Sequence, residues 1–150
     1  MASIRRDILI RIPPAVAWDA IRDVGALHTR LVPGFVLDTR LEPGARIVTF
    51  GSGRVLRERI VDCDDAARRL VWSIEDAWLA HHNASLQVLA EEEGARVIWI
   101  ADLLPHEAGQ LVAGFMEQGL ATMCRTLEGG LDGMAPAGGS SDSPQREAKP

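Results

Sequence analysis

Hydrophobic and polar positions alternate along most of this chain, and the alternation predicts strands everywhere except near the two ends. Residues 4–12 place Ile4, Ile8, Ile10 and Ile12 in one parity and Arg5, Asp7 and Arg11 in the other, as a half-buried strand does. Pro13-Pro14 ends that run, and Pro14 or Ala15 is suited to open a helix. Val16, Ala17, Ala20, Ile21 and Val24 then recur at helical spacing, with Trp18 beside the stripe. Asp23 is placed to cap a second short helix ending near Pro33-Gly34. Strand-like runs follow at 35–41, 45–50, 53–63, 68–76, 80–90 and 95–104, separated by short breaks of turn chemistry. Breaks this short suit antiparallel hairpins, because a parallel crossover needs roughly a dozen residues.

The period changes after Pro105. From about Glu107 to Glu128, Val112, Met116, Leu120, Met123 and Leu127 fall on one face of a helix, with Phe115 and Gly119 at its edge. Gln110, Glu117, Gln118, Ala121, Arg125 and Glu128 take the opposite face. Each apolar side chain contributes roughly 1.5–3 kcal/mol when fully buried. The helix therefore needs a large apolar partner, and the strands supply one. Beyond Gly129 the chain is rich in Gly, Ser, Pro and Ala, so a single domain over 1–130 is expected, with a disordered tail over 131–150.

Parity also assigns an inside to each strand. In 53–63, burying Leu56, Glu58 and Ile60 leaves Arg57 and Arg59 in water, which costs less than the reverse, although Val55 and Val61 lie on the arginine side. Leu70, Trp72, Ile74, Asp76 and Trp78 share one parity of the next run, and His82, Ala84, Leu86 and Val88 one parity of the run after it. In 95–104 both parities are apolar, so either Trp99 or Ile98 and Ile100 can face inward. Glu58, Asp76 and His82 are thus polar residues in apolar parities. They are candidate catalytic groups, because burial raises a carboxyl pKa and histidine titrates near neutrality. The competing reading places them at strand ends, within reach of solvent, or satisfying backbone groups at a bulge.

Trp72, Trp78 and Trp99, in a chain without tyrosine, are either core residues or the wall of a ligand cavity. Leu56, Ile74, Phe115, Met116, Gly119 and Met123 complete that candidate ligand-binding wall. Methionine adapts to irregular neighbours. Gly119 leaves room either for tight packing of helix on sheet or for a pocket floor.

Composition narrows the partners. Apolar residues at 47% and charged residues at 25% are ordinary globular values. A net charge of −5 and a pI near 5.3 weigh against a nucleic-acid partner. No basic cluster exceeds Arg5-Arg6 or Arg68-Arg69, so no anionic membrane partner is expected either. With no long apolar run and no leader-like N-terminus, a soluble cytoplasmic protein is expected. Cys63 and Cys124 lack CxxC spacing and read as reduced thiols. His81 and His82 are adjacent on a strand, point to opposite faces and cannot easily share an ion. No metal and no cofactor are therefore expected, while a homodimer is compatible with every pattern above. GxSxG, the P-loop, a dinucleotide GxGxxG and HExxH are all absent, and Gly51-Ser52-Gly53 reads as a hairpin turn.

The element order, a strand, two short helices, six antiparallel strands and a long helix, resembles the helix-grip order of the START-like, pollen-allergen-like superfamily. Three stretches, IRRDILIRIPPAVAWDAIRDVGALHTRLVPG, GRVLRERIVDCDDAARRLVWSIED and GARVIWIADLLP, resemble its bacterial polyketide cyclase/dehydrase and lipid-transport members. The resemblance spans roughly residues 3–130. It implies an α+β helix-grip fold, with a curved antiparallel seven-stranded sheet wrapped around a long C-terminal helix. It also implies a cavity between sheet and helix for a hydrophobic or aromatic small molecule, lipid-like or polyketide-like. Three functions stay open: a binding module, a cyclase/dehydratase-type enzyme using Glu58, Asp76 or His82, and an interaction or stress-related module with a filled core.

Overall fold

A computed structural model describes the backbone of residues 2–140 and the side chains of residues 2–129. The alternating N-terminal run forms strand β1 (Ala2–Ile10), and the double proline turns the chain into helix α1 (Pro14–Arg22), with proline in its first turn. Ala17, Trp18, Ala20 and Ile21 give α1 its buried face. The predicted second helix is present as a 3-10 segment (Val24–Ala26) running into a π-helical segment (Leu27–Leu31). Asp23 makes no capping hydrogen bond; its carboxylate instead pairs with Arg30 at 3.0 Å.

The remaining strands are β2 (Val36–Glu42), β3 (Ala45–Phe50), β4 (Val55–Asp64), β5 (Arg69–Glu75), β6 (His81–Glu91) and β7 (Gly94–Leu104). They form one antiparallel seven-stranded sheet in the order β1-β7-β6-β5-β4-β3-β2. Register shifts between Val36 and Asp38 and between Ile60 and Asp62 mark bulges, which bend a sheet locally. The β6–β7 turn sits against the end of β1, where a Cβ on Gly94 would lie 2.3 Å from the Ile10 carbonyl oxygen. Its φ of +150° also belongs to glycine. On the far side, the Trp18 indole N–H and Arg22 Nε both donate to the Asp65 carboxylate, at 2.9 and 2.8 Å, fastening α1 to the β4–β5 turn.

After a short 3-10 turn (His106–Ala108), helix α2 runs from Gly109 to Ser140. Of the segment predicted as a tail, 131–140 carries helical backbone and 141–150 lies outside the described residues. Met116, Leu120 and Met123 are buried, as the periodicity predicts. Along one flank α2 is tied to β1 and the residue after it. Arg6 pairs with Glu117 at 2.8 Å, the Arg11 backbone N–H donates to Glu128 at 2.8 Å, and the Cys124 thiol meets the Leu9 carbonyl at 3.8 Å.

The inward parities are largely buried, although Val71 and Ser85, in the opposite parities of β5 and β6, are buried too. Leu56 and Glu58 are buried, whereas Val55 and Val61 are 56% and 55% exposed. In β7 the ambiguity resolves toward Val97, Trp99, Ala101 and Leu103, with Ile100 outside. Cys63 and Cys124 are free thiols. Among the described residues no cluster of three metal-ligating side chains occurs, and no helix is long and apolar enough to cross a membrane.

Candidate ligand cavity

The inward parities of β3 to β7 and the buried face of α2 do not meet everywhere. They leave a cavity of about 310 Å³ between sheet and helix, within the usual ligand-site range of roughly 300–1,000 Å³. Leu56, Trp72, Ile74, Trp78, Trp99, Phe115, Met116, Gly119 and Met123 all border it, as do Glu58 and His82; Asp76 does not. The other polar groups in the wall are Arg46, Ser52 and Arg54.

Gly119 serves both of its expected roles. A Cβ there would lie 2.8 Å from Trp99 Cζ3 and 3.4 Å from Phe35 Cε2, so the missing side chain lets both rings pack under α2. The same residue borders the open space. Trp99 also leans on Trp72, their ring centroids 5.9 Å apart, and its Nε1 is buried without a hydrogen-bond partner among the described residues.

Asp76 departs from its predicted position because β5 ends at Glu75, and strand parity does not extend into the turn that follows. Its carboxylate pairs with Arg54. That hydrogen bond, reinforced by the Ala77 N–H at 2.9 Å, holds the Asp76 carboxyl below the usual carboxylate range. An ionised carboxylate outside the cavity is no general acid for chemistry inside it. Its contribution is indirect, since it fixes Arg54, which lines the cavity and lies 5.2 Å from the Trp78 ring centre.

Glu58 is not a solitary carboxyl. Arg46 stands opposite it in the β3–β4 register, and Arg46 Nε donates to Glu58 Oε1 at 2.8 Å. Their side chains are 4% and 6% exposed. The guanidinium also donates to the Val24 carbonyl at 3.3 Å and sits 5.8 Å from the Trp72 ring centre. An unpaired buried charge costs several kcal/mol. The pair therefore neutralises itself inside the apolar wall.

His82 borders the cavity and also satisfies a backbone group, as the competing reading expects. The β5–β6 ladder ends at Trp72 and Ala84, and beyond it the Ile74 N–H donates to His82 Nδ1 at 3.0 Å, so the imidazole takes the place of a missing carbonyl. Ser73 Oγ donates to the His82 carbonyl at 2.6 Å and closes the same junction. Burial pushes the His82 pKa down to about 4; His81 acts in the same direction and Asp102 against it. The ring is neutral at pH 7. With Nδ1 accepting, the proton resides on Nε2, which leaves a hydrogen-bond donor rather than a base.

Phe35, Phe50, Ser52, Arg46 and Arg54 are wall residues that parity did not single out. Arg46 was detectable: it shares its parity with Val48 and Phe50, and cross-strand pairing with Glu58 would have explained an inward arginine.

A curved sheet wrapped on one long helix, with an apolar cavity between them and a few polar side chains set in its wall, defines a helix-grip protein of the α+β class. The chain belongs to the family described as polyketide cyclase / dehydrase and lipid transport, which it matches over residues 1–137. Among solved structures it is similar to XoxI from Bacillus cereus, 20% identical with a TM-score of 0.75, over 85% of this chain and 96% of that one. A protein from Thermobifida fusca is 28% identical with a TM-score of 0.67, over 85% and 91%. The aromatase/cyclase Zhui from Streptomyces sp. R1128 is 13% identical with a TM-score of 0.67, over 92% and 98%. At such identities the first and third likenesses concern the fold. No curated protein matches the sequence.

Proposed function

We propose that this chain binds a hydrophobic or aromatic small molecule between its sheet and α2. The observation that carries the reading is the wall of the 310 Å³ cavity, apolar and aromatic with only five polar side chains. Apolar burial supplies the affinity, and the His82 Nε2–H is a donor for a carbonyl or hydroxyl oxygen on the ligand. Three of the four tryptophans border the space, so ligand titration is expected to change intrinsic fluorescence saturably at one site. A panel of fatty acids, sterols and anthraquinones tests this. No saturable change with any of them, and no adduct in native mass spectrometry, would sink the reading.

Gly119→Ala gives a graded check. The added methyl drives Trp99 and Phe35 toward the cavity, an overpacking of the kind that costs about 1–3 kcal/mol. Affinity for the best ligand is expected to fall roughly tenfold. Unchanged affinity would mean that the ligand lies elsewhere.

An enzyme of cyclase/dehydratase type draws less support. Asp76 lies outside the cavity wall, Glu58 is engaged by Arg46, and His82 offers an N–H rather than a lone pair. An interaction module with a filled core is opposed by the cavity beside Met116 and Met123.

A further inference from the structure

Part of the cavity wall is one ring thick. Phe35, Phe50 and Phe115 form a closed triangle with centroid separations of 4.9, 5.2 and 5.9 Å. The same rings border the inner cavity on one side and an outer groove on the other. This groove runs between two loops, Pro33–Phe35 and Phe50–Ser52, and the flank of α2 that carries Gln118, Thr122 and Arg125. The loops are locked together. The Gly51 N–H donates to the Phe35 carbonyl at 2.9 Å, and a Cβ on Gly51 would lie 2.6 Å from the Gly34 oxygen.

The groove differs from the cavity in chemistry. Arg46 and Arg54, which border the inner space, are each held by a carboxylate. Arg125 has no ion-pair partner among the described residues; its Nη2 donates only to Thr122 Oγ1, at 3.2 Å. A guanidinium positioned in this way presents its remaining donors to an anion, in a groove that also offers a hydroxyl and an amide.

We propose that the outer groove receives the anionic head of an amphipathic ligand whose apolar body fills the inner cavity. Arg125 is the head-group contact, and a swing of half-buried Phe115 or Phe35 opens the passage between the two spaces. The inference rests on the cavity-binding reading above and adds the ligand's class: a ring system or chain ending in an acid.

The test pairs 1-pyrenebutyrate with its uncharged counterpart 1-pyrenebutanol, each titrated against the full chain and its variants. The unaltered chain is expected to prefer the acid by roughly tenfold, since charge-assisted hydrogen bonds are about twice as strong as neutral ones. Arg125→Gln should abolish that preference by weakening the acid far more than the alcohol, and Arg125→Lys should restore part of it. Equal affinity for the two probes overturns the head-group site while leaving cavity binding intact. So does a preference that survives Arg125→Gln and disappears with Arg54→Gln. If neither probe binds any version of the chain, the cavity reading fails and the groove assignment falls with it.

Discussion

Glu58→Leu is expected to lower the unfolding free energy by about 3–5 kcal/mol, the usual cost of leaving a buried charge without its partner. The charge left behind is Arg46, whose guanidinium would keep only the Val24 carbonyl and the Trp72 ring. The double variant Arg46→Met with Glu58→Leu should recover most of the loss, because exchanging both ions for apolar groups of similar volume removes the desolvation cost along with the attraction. Urea unfolding of the three variants checks both statements. A loss below about 1 kcal/mol for Glu58→Leu would mean that Arg46 finds water or another anion, and that the pair is not sealed in solution.

Acid is expected to weaken the fold through His82. Its pKa is about 4 in the folded chain against an ordinary 6.5, so between those values the unfolded chain binds the extra proton and the folded chain does not. Stability from this group is fully present above about pH 6.5, falls as the pH drops toward 4, and loses nothing further below that. At about 1.36 kcal/mol per unit the total approaches roughly 3 kcal/mol. His82→Asn is the matched control, because its side-chain oxygen can replace Nδ1 as acceptor for the Ile74 N–H and does not titrate. The variant should show a shallower decline of stability between pH 6.5 and 5, above the range in which most carboxylates titrate. Parallel curves would remove His82 from the account.

The sheet and the long helix were legible because their periods are unmixed. Val112, Met116, Leu120 and Met123 repeat at helical spacing, and Leu70, Trp72 and Ile74 at strand spacing, so the burial of each could be predicted locally. Trp99 could not be placed in this way. Its strand is apolar in both parities, and only the approach of Gly119 from a distant helix decides which side is covered. Asp76 failed for the opposite reason: β5 ends at Glu75, so the alternation carried on to Asp76 and Trp78 runs into a turn, where Trp78 still borders the cavity but Asp76 pairs with Arg54 outside it. The second short helix was legible in position but not in type: it begins after Asp23 as expected, yet it is 3-10 and then π-helical, and the Asp23 carboxylate pairs with Arg30 rather than capping it. Glu58 was placed correctly, but its chemistry depends on Arg46, a residue whose charge argued against looking for it indoors.

One asymmetry of α2 has mechanical consequences. Its polar ties, from Glu117, Cys124 and Glu128, all run to one flank, while the opposite flank meets the loops through the phenylalanine rings. Directional bonds resist separation along a line, whereas tilted and edge-on rings move past one another without breaking a hydrogen bond. A displacement of α2 would therefore pivot about β1, like a door whose hinges are hydrogen bonds and whose free edge is a seal of aromatic rings. The opening would appear at the phenylalanine seam, between the inner cavity and the outer groove.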